Sequence, residues 1–269
     1  MTDLKEVARQ IRILTLRSIH ASRAAHPGGS LSCTEIMVSL FFEQMQPNPY
    51  SWSDPNRDIF INSKGHSAPC QYSILHLLGI LTLDQLMNLR KGDSGPCQGH
   101  PSYPHLPQVE ASSGSLGVAA SVSVGIALGR KQTGNPGRVY CLIGEGDLNE
   151  GVTVEAARIA SHYQLDNLCW ILDFNQKMSD GYSKIMVSPR REFDALNWSV
   201  RLVNGHNFDQ LRVGFRGARE TKGFPTVIIA QTIKGSGVSW MESDPAGYHG
   251  SITLSQEDLD KALLELETR

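Results

Sequence analysis

The chain has no apolar run near the roughly 18 residues that a membrane-spanning helix requires, so no membrane span is expected. It is also short of net charge. Its 25 Lys and Arg against 27 Asp and Glu leave −2, which gives no electrostatic reason to expect nucleic acid or an anionic membrane surface as a partner. The five cysteines (Cys33, Cys70, Cys97, Cys141 and Cys169) show no paired spacing. That excludes a zinc ribbon or a disulfide framework and fits a reducing, cytoplasmic compartment. The N-terminal Met1-Thr2-Asp3-Leu4-Lys5-Glu6 is charged and lacks a signal-peptide core. There are no internal repeats, low-complexity stretches or linkers. What remains is ordinary globular composition, 40% hydrophobic and 19% charged over 269 residues, enough for a substantial core. Residues 1–269 are therefore read as a single domain.

Helical and strand periodicities alternate along that domain. Residues 3–25 place Leu4, Val7, Ile11, Leu14 and Ile19 at helical spacing, and His26-Pro27-Gly28-Gly29-Ser30 is expected to interrupt the helix. A second helix is expected from Ser32 to Phe42, opened by a cap-like Ser32-x-x-Glu35. A loop from Pro47 through Asn48-Pro49 to Asn56 follows, then a short strand over Asp58–Asn62. Further helices are expected near 68–78, 82–90, 118–129, 190–196 and 208–220, with strands at 200–203 and 226–232. Ser179-Asp180-Gly181 and the segment from Trp240 to Gly250 read as loops, and a charged helix closes the chain. The alternation predicts an α/β fold: a doubly wound, mostly parallel sheet with helices on both faces. Such sheets bind ligands at the carboxyl ends of their strands.

One stretch organises the rest. Val139-Tyr140-Cys141-Leu142-Ile143 reads as a buried strand that breaks at Gly144-Glu145-Gly146-Asp147. A helix-like segment leads to a second strand, Leu168–Asp173, which ends in Phe174-Asn175-Gln176-Lys177. In this βαβ unit the N–H groups beside Gly144 and Gly146 can approach a phosphate closely, because neither residue has a Cβ. A carboxylate in the turn and an amide oxygen 31 residues after Gly144 (175 − 144) suit a hard cation with oxygen ligands. The alternative at this level is a glycine turn with solvated polar neighbours. Ser63-Lys64-Gly65-His66, Asn175 and Gly235 also follow predicted strands, so the topology can bring them to one edge.

Taken together, these segments resemble the diphosphate-binding half of transketolase, a thiamine diphosphate enzyme. The resemblance runs from about Arg12 to Gly250. His26-Pro27-Gly28-Gly29, Arg57-Asp58 with Ser63-Lys64-Gly65-His66, Gly99-His100-Pro101, Gly114-Ser115-Leu116-Gly117, Gly144 to Asn175, and His249-Gly250 stand in the family's order. The resemblance implies Mg²⁺ held by Glu145, Asn175 and the Lys177 backbone carbonyl. It implies that Gly146 N–H, His66 and His249 contact the diphosphate, with Gly114 and Leu116 against the middle of the cofactor. His26 and His100 would face the sugar substrate, and Glu150 would lie near a subunit boundary. His20, His76, His105, His162 and His206 are read as structural histidines with satisfied ring nitrogens.

Four departures accompany it. The family's Gly-Asp-Gly turn is Gly144-Glu145-Gly146-Asp147 here, as if two acids were exchanged, which leaves Ca²⁺ or Mn²⁺ open beside Mg²⁺. Ser115 replaces a proline, and Ala25 stands where the family has glycine. The chain ends at Arg269, whereas the family's aminopyrimidine-binding and third domains lie beyond that point. The expectation is therefore the small subunit of a split transketolase, in a heterotetramer with the subunit carrying those domains. It would pass a two-carbon ketol unit from a ketose, in the first instance a sugar phosphate, to an aldose. Transfer to a carrier protein, and a non-catalytic binding homologue, remain as alternatives.

Overall fold

The computed structural model describes residues 3–23, 25–47, 51–92, 94–179, 181–182, 188–246, 248–250 and 253–268. Asn48, Pro49 and Asp180, expected in loops, lie outside them. Helix α1 (Leu4–Ser22) starts at Asp3, whose carboxylate accepts the Lys5 N–H at 3.0 Å, and stops at Arg23, in the left-handed region with φ 58°. The break thus falls earlier than expected, and Pro27-Gly28-Gly29-Ser30 is itself helical, in α2 (Pro27–Ser32). Pro27 suits the first position because its missing N–H would have had no helical partner there. Gly29 is needed for closeness and not for a turn: a Cβ there would stand 2.7 Å from His66 Cδ2. Nor does Ser32 cap a helix; its hydroxyl donates to Asp173, and α3 (Thr34–Ser39) begins two residues later.

After β1 (Ile59–Asn62) come α4 (Ala68–Leu77), α5 (Leu83–Met87) and α6 (Val118–Thr133), then β2 (Val139–Gly144). One helical turn, α7 (Glu145–Leu148), and α8 (Gly151–His162) lead to β3 (Leu168–Phe174). A two-residue antiparallel pair, β4 (Lys177–Met178) with β5 (Gly181–Tyr182), follows. The chain continues through α9 (Pro189–Ala195), β6 (Ser199–Asn204), α10 (Phe208–Glu220), β7 (Thr226–Gln231), α11 (Ser239–Ser243) and α12 (Gln256–Thr268).

Strands β1, β2, β3, β7 and β6 form, in that order, one sheet in which every pairing is parallel. β2 and β3 are apolar on both faces, as strands covered on both sides must be. Tyr140, Leu142, Cys169 and Ile171 pack against the α1–α3 side, and Val139, Cys141, Ile143, Trp170 and Leu172 against α6 and α8. The doubly wound parallel fold is therefore as expected. Because the sheet is parallel, the carboxyl ends of β1, β2, β3, β6 and β7 share one edge. The segments they feed begin Ser63, Glu145, Asn175, Gly205 and Thr232. The site is built on that edge.

Candidate active site

Eight chain segments converge on a cavity of about 200 Å³ at this edge. Its walls include His26, Lys64, His66, His100, Leu116, Glu145, Gly146, Asn175, Lys177, Ser179, Lys234 and His249. Four imidazoles stand together in it. Ring centroids of His26 and His66 are 5.5 Å apart, His26 and His249 5.4 Å, His66 and His249 5.2 Å, and His26 and His100 6.4 Å. Backbone bonds draw the two distant segments in: Gly28 N–H donates to Tyr248 O at 3.2 Å, and Gly235 N–H to Gly28 O at 3.0 Å.

The floor is an ion pair. Lys64 and Asp173 are 2% and 0% exposed, and the Lys64 ammonium donates to Asp173 Oδ2, Gly29 O at 2.6 Å and Ser32 Oγ at 3.0 Å. Burial opposes both charges but the pairing outweighs it, holding the Lys64 pKa above and the Asp173 pKa below their ordinary values. That cation helps to keep the imidazoles above it neutral. Burial first, then the charges around it, pushes His26 down to about 4 and His66 well below the usual histidine range; burial and Arg90 lower His100. Neutral imidazoles can donate to and accept from hydroxyl groups.

The two acids of the turn do different things. Asp147 is fully buried and saturated: Oδ1 accepts Gly117 N–H at 2.7 Å and Ser63 Oγ–H at 2.8 Å, and Oδ2 accepts Gly144 N–H at 2.7 Å. It clasps the ends of β1 and β2 to the start of α6. Glu145, 4% exposed, faces the cavity. Its Oε2 accepts Asn175 N–H at 3.0 Å and Gln176 N–H at 2.6 Å, while the buried Oε1 has no hydrogen-bond partner. Burial, only partly offset by those two N–H groups, pushes the carboxyl up to about 7. An orphaned carboxylate oxygen in the same cavity as Asn175, whose amide oxygen accepts Lys177 N–H at 3.1 Å, is a donor set that fits a hard cation. Among the described residues no three His, Cys, Asp or Glu side chains could hold a metal, so a cation here must also take carbonyl or ligand oxygens.

Lys177 O, expected among those oxygens, lies 3.3 Å from the Lys234 ammonium. The Lys177 side chain is not idle: its ammonium donates to Glu242 O at 3.1 Å and Asp244 O at 2.7 Å. Gly114 stands behind the wall, with φ 134°, where a Cβ would press His100 Cγ at 3.1 Å. Leu116 packs on Gly146, whose added Cβ would meet it at 3.3 Å. Glu150 is not among the residues that line the cavity; it occupies the N-cap position of α8 without a side-chain capping bond. Of the histidines read as structural, His20 Nδ1 meets Leu254 O at 3.0 Å and His76 Nδ1 meets Leu81 O at 2.8 Å.

Sequence reasoning passed over Asp147, Asp173 and Lys234. Lys234 is 2% exposed, bonds Met178 O at 3.1 Å and His249 Nδ1 at 2.9 Å, and burial pushes its pKa down to about 7. Its position directly after a β-branched buried strand was the available signal.

The imidazoles imply an acid limit. The folded-state pKa values of His26, His66 and His100 lie below the unfolded value of 6.5, so the folded chain refuses protons that the unfolded chain accepts. Their contribution is whole above pH 6.5 and is lost as pH falls through the depressed values, about 4 for His26. Thermal melts between pH 7 and 4.5 should show a shallower loss in His66→Asn than in the parent. Equal slopes would refute it. Glu145 takes up its proton in the opposite sense but is present in both proteins.

A parallel α/β fold with an oxygen-rich, histidine-walled cavity at its carboxyl edge is the arrangement of a diphosphate-binding enzyme domain. The family described as the transketolase thiamine diphosphate binding domain matches residues 4–266. The 6-deoxy-6-sulfo-D-fructose transketolase subunit of a Clostridium strain is 34% identical over 98% of this chain and 96% of its own. An apulose-4-phosphate transketolase subunit from Actinobacillus succinogenes is 35% identical over 91% of this chain and 88% of its own. The solved transketolase of Leishmania mexicana superposes with a TM-score of 0.92 at 28% identity, and the chain spans 42% of its length. The chain belongs to the transketolase family, as a subunit-length member among its ketol-transferring transferases. Among the described residues no helix is long and apolar enough to cross a membrane.

Proposed function

We propose that this chain is the diphosphate-binding subunit of a two-subunit transketolase that acts in the cytoplasm, residues 1–269 forming one folding unit, with two copies of each subunit. When bound, thiamine diphosphate supplies the carbanion chemistry that takes up and passes on a two-carbon ketol unit. The protein's part is to bind, orient and keep charges in place. His66, His249, Lys234 and the Gly146 N–H meet the diphosphate. Glu145 Oε1, Asn175 Oδ1 and Lys177 O would hold Mg²⁺. Leu116 supports the cofactor, and Gly114 holds His100 in place. His26 and His100, kept neutral, bond substrate hydroxyls and relay protons between them. The convergence of four imidazoles with Glu145, Asn175 and Lys234 in one cavity carries this reading.

A partner is supported by surface as well as by the subunit-length relatives. Val118 and Val122 on α6 are 44% and 39% exposed, and Val154 and Ile159 on the neighbouring α8 are 37% and 46% exposed. Glu150 begins α8 beside this apolar face, at the proposed boundary. The substrate is a ketose carrying an anionic group, a reading supported by the sulfonated and phosphorylated sugars in the names of both relatives, and the acceptor is an aldose. The test is reconstitution with the subunit carrying the remaining transketolase domains, thiamine diphosphate and Mg²⁺, followed by a screen of phosphorylated and sulfonated ketoses against aldoses. Activity is expected only from the pair. Turnover by this chain alone would overturn the split-subunit reading.

A further inference from the structure

On the far side of the Lys234 loop from the cavity, three polar side chains from three elements meet. Arg12 of α1 and Glu35 of α3 are 6% and 8% exposed and share two contacts of 2.7 Å. His206, after β6, reaches Glu35 Oε2 through Nδ1 at 3.0 Å. Each outer member then reaches the loop backbone: Ile233 N–H donates to His206 Nε2 at 2.8 Å, and Arg12 Nε–H donates to Ser236 O at 2.9 Å. These two bonds straddle Lys234.

We infer that Arg12, Glu35 and His206 are positioning residues that clamp the loop from Thr232 to Gly237 and so set Lys234 at the diphosphate end of the cavity. The inference rests on the proposed diphosphate role of Lys234. The chemistry of the clamp runs in one direction. His206 Nε2 accepts a backbone N–H, so its ring proton is on Nδ1, and that tautomer needs an acceptor there. Glu35 supplies one, and it stays ionised: burial works against the charge, but Arg12 and the His206 N–H outweigh it and hold the carboxyl down to about 2. Ile233 is itself 50% exposed, so at that residue the bond to His206 and not side-chain packing holds the backbone. Gly237, at φ 98°, lets the backbone lie on the Arg12 stem, where a Cβ would meet Cδ at 3.0 Å. Burying two charges to hold a loop backbone is a costly way to stabilise a core, but it fixes one loop geometry.

Two variants of the full chain separate positioning from general stability. His206→Asn keeps a donor near the Nδ1 position and removes the acceptor for Ile233; His206→Gln places an oxygen where Nε2 was. In His206→Asn, hydrogen–deuterium exchange over residues 232–237 should quicken about tenfold without change elsewhere. The Kd for thiamine diphosphate with Mg²⁺, measured with the partner subunit bound, should rise about tenfold, as expected for one released buried hydrogen bond. His206→Gln should restore both. Unchanged exchange in His206→Asn, or quickened exchange with unchanged affinity, would overturn the clamp. Exchange is read without cofactor, so quickened exchange beside a parent that binds no thiamine diphosphate would count against the functional reading and not against the clamp.

Discussion

Lys64→Met should lower the unfolding free energy by about 3–5 kcal/mol, and adding Asp173→Asn should return most of it. The ammonium leaves behind a carboxylate with no exposure to water, still held by Ser32 and Thr232 hydroxyls but no longer by a charge. Removing one partner of a buried pair costs more than removing both, because the remaining charge is uncompensated. The asparagine of the double variant keeps an oxygen for those hydroxyls without the charge. Guanidinium unfolding of parent, single and double variants reads the difference. A double variant as unstable as Lys64→Met would refute the account, since the loss would then be one of packing around the Lys64 stem. Lys64 joins the end of β1 to α2 through Gly29 O and to β3 through Asp173, so its loss should also loosen the approach of Gly29 to His66.

The same pair shows where the sequence stops being readable. Lys64 sits in a Ser-Lys-Gly-His motif and Asp173 closes an evident strand, yet nothing local says that they meet 109 residues apart. The fold was legible because it follows from periodicity: apolar runs at β2 and β3, helical spacing between them, and parallel pairing that a βαβ order imposes. Lys64, His66, Glu145 and Asn175 were legible because residues after parallel strands must share an edge, whereas His26, His100, Leu116 and His249 came only from the family resemblance. What stayed hidden was tertiary. Gly29 reads as a helix breaker but serves an imidazole, Ser32 reads as a cap but serves Asp173, and His206 reads as a satisfied loop histidine but holds the backbone beside Lys234. Spacing offered a cation one carboxylate of the turn, and the resemblance assigned it to Glu145. Only the hydrogen bonds separate the two acids of the turn, Asp147 being saturated and Glu145 left with one open oxygen.

That separation gives the second large effect. Glu145→Gln should weaken binding of thiamine diphosphate with Mg²⁺ by about a hundredfold or more, roughly 3 kcal/mol, through loss of the anionic ligand to a hard cation. Its effect on the cofactor-free chain should have the opposite sign. Burial holds the Glu145 carboxyl at about 7 against 4.5 ordinarily, so its contribution to folding is favourable below pH 4.5 and is lost as pH rises through about 7. At pH 8 the parent therefore bears a burial penalty on the order of 3 kcal/mol that Gln does not, and metal-free Glu145→Gln should melt higher. Asp147→Asn should do the reverse: Gly117 and Gly144 donate to different oxygens, and the amide nitrogen that replaces one of them cannot accept its N–H, so about 1–3 kcal/mol of stability is lost. Calorimetry with Mg²⁺ and cofactor, paired with melts of the metal-free chains at pH 8, separates the two acids. If Glu145→Gln bound cofactor and Mg²⁺ as the parent does, Glu145 would not be the metal ligand. A loss of stability without loss of affinity would assign it to the clasp with Asp147.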